Sequence, residues 1–213
     1  MRPVILLLSC LGGLEGSVVI DRIAVIVGKT VIKSSDLNRD LRLTEFLNRE
    51  PLNLSALARR KAAERLIDQQ IIRKEIATGG YSRASDADAE ALLQNIERDR
   101  FGSAPARLDS ALQRYGLSEA ELRRQLLWQL TVLSFIQQRF QPGVLVSDQE
   151  VRAYYDQHRA ELQRESPQNG TLAALEPKIR SLLTGEDVNE EFEEWLANAR
   201  HDTHIEYRQE AFR

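Results

Sequence analysis

His201 and His204 stand three positions apart, with Asp202 between them. On a helix face that spacing can seat two ligands of a metal ion. The position is the exit of an expected helix, however, and no third ligand recurs at matching spacing, so no metal site is expected. Glu190-Glu191 and Glu193-Glu194 flank Phe192. Paired carboxylates do acid–base work when they are buried unequally. Here they interleave with an apolar stripe at helical spacing, the pattern of a solvated helix face. Arg59-Arg60-Lys61 and Arg123-Arg124 read the same way. The sequence has no Gly-rich phosphate loop and no G-x-S-x-G elbow, and nothing marks a Ser–His–Asp set. No catalytic residue is assigned, and no nucleotide, metal or other cofactor is implied. The remaining chemistry is apolar contact. Trp128 and Phe135, with Leu127, Val132 and Phe46, are the candidates to hold a partner. Such a surface needs reachable apolar area with polar flanks that keep it soluble, and Trp is favoured at binding hot spots. Core packing competes as the explanation of each residue, and for Trp195 it is the better one, because the last helix must dock on the others.

The elements that would position these residues are mostly helices. Ile20 to Lys33 alternates and is rich in Val and Ile, with Gly28-Lys29 in the middle. A Gly-first two-residue loop suits a type II′ hairpin, so strands are expected over 19–27 and 30–33. Ser34 and Ser35 are the expected caps of a helix from Asp36 that stops before Pro51. Further helices are expected over 55–78, 86–100 and 106–115. Ser118 and Glu121 form a capping box for a helix reaching Arg139 and stopping at Pro142-Gly143. On this helix Leu122, Leu126, Leu130 and Leu133 share one side, while Trp128, Val132 and Phe135 lie well round from it. So wide an apolar arc means a central helix or one that serves two surfaces. Ser147 and Glu150 form a second capping box, for a helix with Val151, Tyr154, Tyr155 and Leu162. After a polar break, periodicity runs from Leu172 to Leu183. Gly185 should end it and Asp187 should cap a last helix with Val188, Phe192, Trp195 and Leu196. Thr203 to Phe212 could form a final strand.

The chain has 213 residues, of which 42% are hydrophobic and 29% charged, and its net charge is -3. That suffices for one sizeable core or a core with a small satellite. The charge balance argues against a nucleic-acid protein, which would carry a basic excess. The single cysteine, Cys10, rules out an internal disulfide and a Cys-based zinc cluster. Arg2, the run Val4 to Leu8 and the small residues up to Gly16 suggest a secretory signal over 1–17. That run is too short to span a bilayer, so no stable membrane span is expected. The alternative to a signal is that Val4 to Leu8 is simply an apolar start to the fold. Leu7-Leu8-Ser9-Cys10 approximates a lipobox, which would make Cys10 a lipidated first residue; the simpler reading is a small apolar residue within the signal.

Asp21-Arg22-Ile23-Ala24-Val25-Ile26-Val27-Gly28-Lys29-Thr30-Val31 near the start, and Phe192-Glu193-Glu194-Trp195 with His204-Ile205-Glu206-Tyr207 near the end, resemble the SurA-like periplasmic chaperones, relatives of PpiD and PrsA. So does Val146-Ser147-Asp148-Gln149-Glu150-Val151-Arg152-Ala153-Tyr154-Tyr155. In that family the early strand pairs with the strand after the last helix, which implies that Ile23 to Val27 neighbours His204 to Tyr207. A parvulin prolyl isomerase domain usually follows the helix that bears the two tyrosines. Here only the break Glu165 to Gly170 stands in its place, and a folded domain needs at least about 50 residues.

The resemblance implies a mainly α fold, a multi-helix body whose small β-sheet joins an N-terminal hairpin to a C-terminal strand. It implies an N-terminal chaperone region over 18–163, a short linker over 164–170, and helices and a strand over 171–213 that return to the N-terminal region. The implied function is an ATP-independent periplasmic holdase for unfolded exported polypeptides, outer-membrane proteins among them, and not an enzyme. Two rivals stand beside it: a prolyl isomerase family member with a residual or accessory role, and a dimeric or lipid-anchored envelope assembly factor. A homodimer is compatible with the apolar helix.

Overall fold

The structure is a computed structural model and describes residues 21–102, 104–165 and 170–212. The expected signal over 1–17, Cys10 and the centre of the polar break lie outside those residues. Strands β1 (Ile23–Val27) and β2 (Thr30–Lys33) form the expected hairpin. Gly28 has φ 57° while Lys29 stays at negative φ, the dihedral signs of the Gly-first turn. Strand β3 (Ile205–Tyr207) adds to the other edge of β1, antiparallel, with Val25 opposite Tyr207 and Val27 opposite Ile205. The sheet order is β2-β1-β3. The pairing of the two ends of the chain is therefore as the resemblance implies.

Seven α-helices accompany this sheet among the described residues: α1 (Ser34–Asn48), α2 (Ala56–Gly79), α3 (Asp86–Phe101), α4 (Pro105–Tyr115), α5 (Glu119–Phe140), α6 (Asp148–Glu165) and α7 (Leu172–His201). The fold is mainly α with a small sheet, as expected. The caps of α2, α3 and α5 are side chains of Ser55, Ser85 and Ser118, each accepting a backbone N–H of the first turn. Each such cap stabilises its helix by about 1 kcal/mol.

Three sequence expectations need correction. Helix α1 begins at Ser34, not Asp36, and its N-cap is Lys33. Asp36 accepts the Lys33 N–H at 2.9 Å, and Ser35 binds Asp21 instead. Helix α7 is continuous through Pro177 and Gly185, with no new start at Asp187. A helical Gly costs only about 1 kcal/mol relative to Ala. One rod that buries Leu175 and Ile179 at one end, and Val188 and Phe192 at the other, outweighs that cost. Finally, the tail is a strand only to Tyr207; Gln209–Phe212 then coils into a 3-10 turn that buries Ala211 and Phe212.

The interior falls into four clusters. The sheet, α1, α2 and the C-terminal turn enclose Val25, Ile32, Leu37, Ile67 and Phe212. The end of α1 meets α3, α4 and α5 around Leu93, Leu112, Leu122 and Leu126. Helices α2, α5 and α7 enclose Ile72, Ile76, Phe135, Phe140 and Phe192. Helix α6 and the first half of α7 make a smaller cluster of Val151, Tyr155, Leu175 and Ile179. Trp195 borders the first and third clusters, the docking role expected of it. Arg200 locks the same junction. Its Nη1 donates to Asp68 at 2.6 Å, its Nη2 pairs with Glu64, and the Tyr207 hydroxyl donates to Glu64 at 2.8 Å.

Candidate functional site

The capping box that starts α5 also sets the first wall of a groove between α1, α2 and α5. Ser118 N–H and Oγ donate to Glu121 at 2.9 and 2.8 Å. These bonds to the charged form hold the Glu121 carboxyl below its ordinary range, with Arg39 and Arg124 adding their charges. Arg39, on α1, reaches Glu121 at 3.3 Å and Asp36 at 3.5 Å. From there α5 supplies Arg124, Gln125, Leu127, Trp128 and Thr131, one turn after another along one face. Thr131 is buried, and its hydroxyl donates to the Leu127 carbonyl at 2.8 Å, so it brings no unmet polar group into the groove.

The opposite wall is α2 with the loop after it: Arg73, Ile76, Ala77 and Arg83, with Leu43 of α1 closing the end. The enclosed volume is about 630 Å³. Arg73 lies over the Trp128 ring with its guanidinium carbon 3.7 Å from the centroid, a cation–π contact that fixes the indole plane. Lost hydration pulls the Arg73 pKa below its ordinary value, and the charge of Arg83 pulls it further. A side recess of about 250 Å³ shares Arg39, Leu43, Arg73 and Gln125 and runs on to Asp40, Gln69 and Gln70. Asp40 is buried there, its Oδ2 taking Arg65 Nε at 3.1 Å. Burial nevertheless raises its pKa, against the pull of Arg65.

The five sequence candidates do not form one site. Leu127 and Trp128 line the groove and are half-buried. Val132 is half-buried against the α2–α5–α7 cluster. Phe135 is fully buried, its ring 4.9 Å from Tyr81, 5.5 Å from Trp195 and 5.9 Å from Phe140, centroid to centroid. Phe46 is buried beside Tyr115 at 5.6 Å. Phe135 and Phe46 therefore serve the core in this conformation and present no area to a partner. Nor do the four leucines of α5 share a buried side: Leu122 and Leu126 are inside, whereas Leu133 is 52% exposed. Beyond Leu133 lies a second groove of about 690 Å³ between α5 and α7, lined by Ile136, Pro177, Gly185 and Val188.

Sequence reasoning missed Arg73, Arg83, Leu43 and Ile76, because no spacing signal links α1, α2 and α5. It also set Arg124 aside as part of a solvated run. Its partner Arg123 does bridge Glu119 and Glu90 on the surface, at 2.6 and 3.1 Å. The acidic run on α7 is a solvated face, with Phe192 turned inward. His201 and His204 are exposed, and no cluster of three or more potential metal ligands occurs among the described residues. No helix among those residues is long and apolar enough to cross a membrane.

Searched against protein-family models, the chain matches none. Among curated proteins it is 30% identical over 138 residues to the chaperone SurA of Pseudomonas aeruginosa. Over the matched part the chain is similar to that chaperone. The match covers 63% of this chain and 33% of that protein, so the chain spans about a third of its relative's length.

Proposed function

We propose that this protein is an ATP-independent periplasmic holdase that keeps unfolded exported polypeptides, outer-membrane proteins among them, from aggregating, without isomerase activity of its own. The observation that carries the reading is the Trp128 groove: the half-buried apolar side chains of Leu127 and Trp128, backed by the buried Leu43 and Ile76, under a rim of arginines. Reachable apolar area with a charged border is what a soluble protein needs to hold unfolded segments and stay monodisperse. The open groove grips any one segment weakly, and several segments of a long client raise the total by avidity. The likeness to SurA supports the chaperone class, and the short break between α6 and α7 supports the reading without an isomerase.

The test is to dilute unfolded outer-membrane protein into buffer with the full chain and follow light scattering, with a tetrapeptide isomerisation assay run in parallel. Suppressed scattering with isomerisation at the background rate is the expected result. Scattering unchanged at several-fold molar excess rejects the holdase. Isomerisation above background restores the enzyme alternative. Discrete binding to one partner, with no effect on unfolded clients, favours the assembly-factor alternative.

A further inference from the structure

The groove carries more positive charge than its own residues can balance. Its lining holds four arginines, Arg39, Arg73, Arg83 and Arg124, and one carboxylate, Glu121. Arg39 is matched by Glu121 and Asp36. Arg124 shares the field of the same Glu121. Asp40, in the adjoining recess, is taken by Arg65. Arg73 and Arg83 line the same groove, and neither forms an ion pair with a described carboxylate. The indole of Trp128 lies directly beneath Arg73. Two guanidinium groups brought together at the edge of an apolar floor repel each other until an anion sits between them, and a carboxylate can accept paired N–H bonds from either fork.

We propose that the groove selects acidic-apolar polypeptide segments, seating an Asp or Glu carboxylate between Arg73 and Arg83 while a neighbouring apolar or aromatic side chain rests on Trp128 and Leu127. This rests on the holdase reading and names the class of segment it prefers. The apolar floor is what separates such a segment from a bare phosphate or a polyanion, neither of which would use Leu127. The chain's net charge of -3 also opposes attraction of a nucleic acid at long range.

Two labelled synthetic peptides test it, with the same apolar and aromatic residues, one spaced by Asp and the other by Lys. Fluorescence anisotropy should show the Asp peptide binding roughly tenfold more tightly at low salt, the gap shrinking as salt screens it. The double variant Arg73→Gln, Arg83→Gln should close the gap, with circular dichroism confirming an unchanged helical fold. Equal affinity of the two peptides for the natural chain overturns the selectivity and leaves the holdase standing. A gap that survives in the folded double variant overturns the assignment to these two arginines. If neither peptide binds while scattering is still suppressed, the selectivity falls alone; if scattering is not suppressed either, both readings fall.

Discussion

Trp128 and Phe135 lie two turns apart on α5 and do opposite work. Phe135 is fully buried among Tyr81, Phe140 and Trp195, so Phe135→Ala should cost about 3–5 kcal/mol, read from urea denaturation. Trp128 is half-buried beneath Arg73. Trp128→Ala should cost less stability but weaken client capture roughly tenfold. A reversed pattern, with capture lost in the Phe variant at unchanged stability, would move the site away from the groove. Asp40 supplies a pH prediction. Burial raises its carboxyl above the ordinary 3.8, so the folded chain binds that proton more tightly than the unfolded chain does. Its stabilising contribution is complete below the ordinary value and is lost as pH rises through the raised folded value. Asp40→Asn removes this contribution, and the variant should lose more stability than the natural chain on acidification through that window. Urea midpoints at a series of pH values measure it, and parallel curves would contradict it.

At the scale of elements, α7 is the informative one. It joins the α6 cluster at one end to the sheet at the other, and Arg180 pins its first half by donating to the Val146 carbonyl at 2.5 Å and to Asp148 at 2.6 Å. Gly185 sits in the middle of this rod at negative φ, and a Cβ there would meet nothing within 4 Å. Gly185→Ala should therefore stabilise the chain by about 0.5–1 kcal/mol, visible as a higher melting temperature. A lower one would show that α7 bends at this point in solution. The helix starts were well marked in the sequence where Ser precedes an acidic residue, as at Ser85, Ser118 and Ser147. The start of α1 was not, because its cap is Lys33 and the serines there lie in the first turn.

The molecule as a whole is closed by its two ends. Strand β3 and the turn after it place Tyr207, Ala211 and Phe212 against β1 and α2. Removing residues 203–213 would uncover one edge of β1 and empty part of that cluster. The loss should be about 5 kcal/mol or more, comparable with the whole stability of many domains. The shortened chain should melt early and aggregate through the bare strand edge, as seen by circular dichroism and size-exclusion chromatography. Retention of a cooperative, unshifted melt would mean that the sheet is dispensable.

By itself the sequence determined most of the helices and the hairpin turn, because caps, the Gly28 turn and apolar periodicity are local signals readable within a few residues; the pairing of β1 with β3 came from the family resemblance alone. It also placed Trp128 and Leu127 among the binding candidates. Only the tertiary structure decided which candidates are reachable. Phe135 and Trp128 have the same apolar character and share a helix, and their fates differ because α2 and α7 cover one and leave the other at a gap between α1, α2 and α5. The arginine pair was invisible for the same reason. Arg73 and Arg83 carry no pattern in the sequence, and their meaning arises only where the fold sets both in one groove beside an indole from a helix far along the chain.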